Sequence, residues 1–216
     1  MNKKIGIIGS GSVAQALGTG FLKYGHEVML GTRNVSKLDE WTTGPGKGSK
    51  VGGFTEAAAF GEIIVLAVKG SAAAESLKMA GEANINGKII MDATNPIADT
   101  PPENGVLRFF TSLDNSLMEQ LQKEFVQARF VKAFNCIGSH FMVNPPFKTQ
   151  PTMFICGNDQ NAKKEVDIII SKFGFDVADM GGAEAARAIE PLCILWCIPG
   201  LLKNEWSHAF KLLKNT

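Results

Sequence analysis

The first residues with the types and spacing for chemistry are Gly9-Ser10-Gly11-Ser12-Val13-Ala14, a G-x-G-x-x-G/A run. The run follows the apolar stretch Lys4–Ile8 and opens the amphipathic stretch Ser12–Tyr24, whose Val13, Leu17, Phe21 and Leu22 share roughly one face. In that setting Gly9 permits a sharp turn, Gly11 lets a pyrophosphate approach the backbone, and Ala14 lets a helix pack close on a strand. The helix start then aims free N–H groups and its positive dipole end at phosphate oxygens. A strand before and a helix after turn a weak glycine motif into an expectation of dinucleotide binding.

Sites for an unphosphorylated ribose place Asp or Glu at the end of the second strand. Here that place reads Leu30-Gly31-Thr32-Arg33-Asn34, with no carboxylate. The planar fork of Arg33 and the Thr32 hydroxyl match a 2′-phosphate, which an acidic residue would repel. Ser36 and Lys37 add to the same pocket. The expected cofactor is therefore NADP(H) rather than NAD(H).

The rest of the catalytic inventory is sparse. The single tyrosine, Tyr24, has Val28 four residues on, so the Tyr-x-x-x-Lys pair of short-chain carbonyl reductases is excluded. There is no H-E-x-x-H, no Ser–His–Asp order, no expected metal and no second phosphate loop. Of three histidines, His26 and His208 read as surface residues, the latter in a last helix. His140 follows the sixth strand, where it is either a pocket contact, and then a candidate catalytic group, or a plain loop residue. Hydride transfer between two flat heterocycles needs no strong protein acid, because the cofactor carries the chemistry and the protein holds the rings together.

Positioning these residues requires a parallel sheet. Apolar runs at Lys4–Ile8, Glu27–Leu30, Val51–Phe54, Ile63–Val68, Lys88–Asp92 and Ala128–Phe134 alternate with helical patterns at Ser12–Tyr24, Thr55–Phe60, Ala72–Ala80 and Leu113–Phe125. This order predicts a doubly wound, mainly parallel α/β sheet of Rossmann type with right-handed crossovers. A strand at Thr152–Cys156, a helix at Ala162–Phe173 and a strand at Val177–Met180 follow the irregular Pro145–Pro151. Residues 1–182 form the expected nucleotide-binding domain. Residues 183–216 form a small helical cap broken at Pro191 and Pro199.

Composition sets the remaining bounds. With 216 residues, 45% hydrophobic, 20% charged and net charge +1, the chain suits one globular domain. No single-sign field favours nucleic acid or an anionic membrane. No run reaches the roughly 18 apolar residues of a membrane span, the nearest being Pro191–Leu202. The four cysteines, at 136, 156, 193 and 197, show no C-x-x-C and read as small buried residues of a reduced, cytoplasmic protein.

The pieces IGIIGSGSVAQALG, LGTRN, DATNP at 92–96, VKAFN at 131–135 and FICGND at 154–159 run in order from residue 5 to about 160. Together they resemble the coenzyme F420-dependent (deazaflavin-dependent) NADP reductases and the related cytosolic domains of ferric metalloreductases. The resemblance implies roles. Gly9, Ser10, Gly11, Ser12 and Val13 would hold the pyrophosphate, and Thr32, Arg33 and Asn34 the 2′-phosphate. Val68 and Lys69 would line the ribose and linker, Asn95 and Pro96 the nicotinamide end. Asn135, Cys136, Ile137 and Gly138 would flank the nicotinamide and floor an acceptor pocket, with Trp196 stacking on a flat acceptor. The archaeal deazaflavin reductases carry a histidine and a proline where Asn135 and Gly138 stand here. The metalloreductase comparison points instead to a flavin, FMN or FAD, in proteins that add a membrane domain.

These observations imply an NADPH-dependent oxidoreductase passing a hydride between NADP(H) and a small-molecule redox acceptor, F420-like or flavin. Two alternatives stay open: reduction of a small carbonyl or imine with a proton from His140 or Lys148, and a non-catalytic NADP(H)-sensing module. The apolar stripe Leu192, Ile194, Leu195, Trp196 and Ile198 would close the pocket or be buried in a homodimer.

Overall fold

Short apolar runs become parallel strands when helices cover both faces of the sheet they form. The computed structural model describes residues 2–215; Met1 and Thr216, the outer limits of the two expected units, lie outside them. In chain order the amino-terminal half is β1 (Lys4–Ile8), α1 (Ser12–Lys23), β2 (Glu27–Gly31), α2 (Asp39–Thr43), β3 (Lys50–Gly52), α3 (Phe54–Phe60), β4 (Ile63–Leu66), α4 (Ala73–Ala80), α5 (Glu82–Ile85) and β5 (Ile89–Asp92). Then come α6 (Leu117–Glu124), β6 (Arg129–Lys132), β7 (Thr152–Ile155), α7 (Gln160–Lys172), β8 (Asp176–Asp179), α8 (Ala186–Ile189) and α9 (Leu192–Lys203). Six parallel strands form one sheet in the order β3-β2-β1-β4-β5-β6, and β7 and β8 form a parallel pair. An antiparallel bridge, with Lys132 N donating to Cys156 O at 3.0 Å, carries the pair onto the edge of β6.

Side chains alternate across the sheet, so each strand feeds two cores. Ile63 and Val65 of β4 face Leu17 and Phe21 of α1 and Phe173 beyond α7. Ile64 and Leu66 face Ala57, Leu77, Leu121 and Ile189 of α3, α4, α6 and α8. The expected doubly wound α/β sheet is therefore what forms.

Four local expectations need correction. The third strand stops at Gly52, because Phe54 starts α3 and Glu56 Oε2 reaches back to accept from Gly53 N at 2.6 Å. The sixth helix starts at Leu117 rather than Leu113. Ser116 Oγ accepts from Glu119 N and Glu119 Oε2 accepts from Ser116 N, a reciprocal cap that fixes the start. The cap segment is helical only to Lys203; beyond Asn204, which has φ +56°, the chain runs back along β7, with Thr152 N donating to Phe210 O. His208 thus lies in this extended return and not in a helix, and its Nε2 is 2.8 Å from Trp196 O. Pro199 stays inside α9, while the break falls at Glu190–Pro191.

Fourth, the helical run Ala183–Lys203, at 21 residues and mean hydropathy 1.5, is long and apolar enough by length and composition to cross a membrane. In the fold its Ala183, Ala186 and Ile189 join the core under the sheet and its Cys193 and Trp196 are buried, with Leu195 and Leu202 exposed. It is also pinned by an ion pair: Arg187 Nε donates to both Glu119 oxygens at 3.0 Å and Nη2 to Oε1 at 2.6 Å.

Arg187 and the Ser116 amide and hydroxyl hold the Glu119 carboxyl at about 2, below its usual 4.5. A depressed carboxylate stabilises the fold above the unfolded value and loses that contribution as pH falls through the folded one. An Arg187→Gln variant should therefore be less stable than wild type at pH 6, by a modest amount because Arg187 is exposed. The difference from wild type should shrink as urea melts are repeated from pH 4.5 down toward 2. A gap that does not change with pH would refute this.

Candidate functional site

Parallel strands deliver all their carboxyl ends to one edge, and ligands of such sheets lie there, at the point where strand order reverses. That point is between β1 and β4. A cleft of about 260 Å³ opens at this edge, floored by Gly9, Ser10 and Gly11 and walled by Thr32, Arg33, Asn34, Val68 and Lys69.

The two motif glycines do different jobs. Gly9 has φ +140°, and a Cβ there would fall 2.2 Å from Ala67 O, so the turn and the β1–β4 approach both require glycine. Gly11 meets nothing within 4 Å, which leaves open space over the start of α1. Gly11 is the residue before α1 and caps it with no side chain, so its first amides remain free for an anion.

The wall at β2 is preformed. Thr32 Oγ1 lies 3.1 Å from Ser10 Oγ and accepts from Asn34 N at 3.2 Å. Asn34 Oδ1 accepts from Ser36 N and Ser36 Oγ, fixing the turn that carries Arg33 and Lys37. Neither Arg33 nor Lys37 takes part in any ion pair among the described residues. Two uncommitted cations and two hydroxyls therefore face one end of the cleft, a donor set suited to a phosphate dianion.

On the far side the loops after β4, β5 and β6 are tied together. Gly70 packs against Asn95 O so closely that a Cβ would come within 2.1 Å. Asn95 Nδ2 donates to Asn135 O at 2.8 Å, and Asn135 Nδ2 donates to Ile189 O at 2.9 Å. Phe134 holds φ +60°, an uncommon conformation for an aromatic residue, with its ring anchored against Phe173 and Phe175. That kink turns Asn135 inward. Pro96 is buried beside it.

The sequence-chosen residues divide accordingly. Gly9, Ser10, Gly11, Thr32, Arg33, Asn34, Val68 and Lys69 share the cleft. Ser12 instead lines a second cleft of about 350 Å³ with Gln15, Thr19, Trp41 and Pro45, and the exposed His140 is in that cleft too. Val13, Asn95, Pro96 and Asn135 line neither. Cys136 and Ile137 are buried, and burial pushes the Cys136 thiol up to about 12, so it stays protonated. Trp196 is 8% exposed; it packs over Gly138 and against Trp206 and His208, and its Nε1 donates to His208 O. So little free face makes it a wall, not an open stacking platform. Sequence reading missed Phe54, Ala67, Ala72 and Ser76, which complete the cleft. Their signal was weak, since Phe54 and Ala67 read as the ends of strands and Ala72 and Ser76 as ordinary helix residues.

Sequence reading also missed Glu190. The Lys132 ammonium is fully buried. Its Nζ lies 2.7 Å from Asp92 Oδ2 and 3.0 Å from Glu190 Oε1, and it donates to Thr94 O at 2.9 Å. Burial alone would lower its pKa, but the two carboxylates outweigh that and raise it, so the lysine is charged.

The chain is similar to several known proteins in sequence and in fold. Residues 4–96 match the family model described as NADP oxidoreductase coenzyme F420-dependent. The chain is 32% identical over 205 residues to metalloreductase STEAP3 of Rattus norvegicus, covering 92% of this chain but 39% of that protein, so it spans about two fifths of that relative. It is 24% identical to the F420-dependent NADP reductase of Methanocaldococcus jannaschii, over 88% of each. A crystal structure from Arthrobacter sp. FB24, provisionally named an F420-dependent NADP reductase, superposes with TM-score 0.92 at 28% identity, covering 99% of this chain and 100% of that one.

The two glycines can be separated experimentally. Gly9→Ala should cost about 3 kcal/mol in urea unfolding through backbone strain and the Ala67 clash. Gly11→Ala should change stability by less than about 0.5 kcal/mol yet weaken dinucleotide binding measured by calorimetry. Equal stability losses would show that Gly11 is a folding glycine.

Proposed function

We propose that this chain, whose residues 4–96 match the family model described as NADP oxidoreductase coenzyme F420-dependent, passes a hydride between NADP(H) and a flat redox cofactor of the deazaflavin or flavin class. The observation that carries the reading is the cationic end of the cleft, where Arg33 and Lys37 stand free beside Thr32 and Ser10. The nicotinamide supplies the hydride when bound. The chain supplies the rest. Amides at the start of α1 hold the pyrophosphate, the β2 turn holds the 2′-phosphate, and the tied loops after β4, β5 and β6 receive the nicotinamide half. No carboxylate lines this cleft, which suits a phosphate dianion at its cationic end.

A second reading rests on His140, which is exposed in the neighbouring cleft beside Ser12 and Ser139 and could protonate a small carbonyl or imine there. Single-turnover mixing of NADPH with a deazaflavin, FMN, FAD and small carbonyls, followed by the absorbance of the reduced nicotinamide, separates the two. Transfer to a flat cofactor that survives His140→Ala supports the first. Turnover of a carbonyl that falls by about a hundredfold or more in His140→Ala supports the second. No oxidation of NADPH by any acceptor removes both.

The cofactor preference has its own test. Arg33→Asp removes charge-assisted bonds of about 1.5–3 kcal/mol, so NADPH affinity should fall roughly tenfold to a hundredfold. NADH affinity should hold or rise, as read by titration of nicotinamide fluorescence. A variant that keeps its preference for NADPH would overturn the assignment.

A further inference from the structure

The buried charges at Asp92, Lys132 and Glu190 lie outside both clefts, and binding a nucleotide does not require them. One lysine faces two carboxylates, all three side chains 2% exposed or less. The second carboxylate is balanced by a helix start: Glu190 Oε2 accepts from Leu117 N and Oε1 from Met118 N, each at 3.0 Å. Asp92 Oδ1 accepts from Thr94 N and Thr94 Oγ1. The cluster therefore joins the ends of β5 and β6, the start of α6 and the turn between α8 and α9.

A buried ion cluster is no better for stability than apolar residues of the same size, while removing one partner leaves a charge unpaired. What such a cluster supplies is fixed geometry. Here the geometry concerns one place. The residue before Glu190, Ile189, offers its carbonyl to Asn135 Nδ2, and Asn135 O accepts from Asn95 Nδ2. With the cations at β2 taking the 2′-phosphate and the pyrophosphate at Gly11, the remaining half of a dinucleotide must run toward β4, β5 and β6. Asn95 and Asn135 lie at the ends of those last two strands.

We propose that Glu190 is a positioning residue, holding the loops after β5 and β6 in register for the nicotinamide half of the cofactor without touching it. This rests on the reading of the cleft as an NADP(H) site. It makes the carboxyl-terminal segment part of the reaction site through a salt bridge into the sheet.

The test compares wild type with Glu190→Gln, which keeps the shape and removes the charge, and with Glu190→Asp, which keeps the charge but is one methylene short of spanning Lys132 and the α6 amides. Affinity for adenosine 2′,5′-bisphosphate reports the β2 end alone. The emission and anisotropy of bound NADPH report how firmly the nicotinamide is held, with no acceptor present. Expected are unchanged bisphosphate affinity, nicotinamide signals in Glu190→Gln that shift toward free NADPH, hydride transfer slowed about tenfold or more at unchanged KM for NADPH, and intermediate values for Glu190→Asp. Should Glu190→Gln not fold, Glu190→Asp is read against the same outcomes. Unchanged nicotinamide signals and rate overturn the proposal, and so does a loss of bisphosphate affinity in parallel with them, which would make Glu190 a general stability residue. If wild type binds NADPH but passes a hydride to nothing, the functional reading falls while the fluorescence comparison still decides the role of Glu190. If wild type binds neither nucleotide, the NADP(H) site falls and Glu190 positions nothing for it.

Discussion

A parallel strand ends where its neighbours end, and this places the chemistry of the chain. Five crossovers bring six carboxyl ends to one edge of the sheet. Glycine turns, hydroxyls, cations and amide side chains from positions 9 to 135 meet there although more than a hundred residues separate them. No helix or strand has to be distorted to collect them, apart from the αL kink at Phe134. Backbone amides at the same edge are left unpaired by the start of α1, so the fold itself creates an anion site before any side chain acts.

The two sides of that edge are built on opposite electrostatic terms. On the β2 side, Arg33 and Lys37 remain in water, where a charge costs little and can wait for a phosphate. On the β6 side, Lys132 is fully enclosed, where an unpaired charge would cost several kcal/mol. It is tolerated because two carboxylates lie within 3.0 Å of it and Thr94 O accepts from it. One side is open and adaptable, the other dry and fixed. A cofactor whose phosphate end needs attraction and whose nicotinamide end needs orientation suits that division.

The same contrast explains what could be read in advance. Strands β1, β4 and β5 were legible because a strand covered on both faces is a continuous apolar run. The cleft residues at Gly9–Gly11 and Thr32–Asn34 were legible because their spacing from a strand end is local. The start of α6 was misjudged although Ser116 and Glu119 spell its cap, since the apolar Leu113 before it fitted the helical period. The burial of Trp196 was not legible for a different reason: whether an indole face is free depends on Trp206 and His208, which approach only once the chain has turned back at Asn204.

The sequence by itself determined the sheet, the glycine turn after the first strand and the cationic pocket after the second, because each depends on contacts within a few residues or on a short periodicity. Only the tertiary structure decided that Glu190 meets Lys132, that Cys136 and Trp196 are enclosed, and that His140 faces a separate cleft. Those outcomes depend on which distant segments exclude water from a given atom. Burial sets the cost of a charge and the freedom of a ring, and burial is a property of the packed chain that no local pattern encodes.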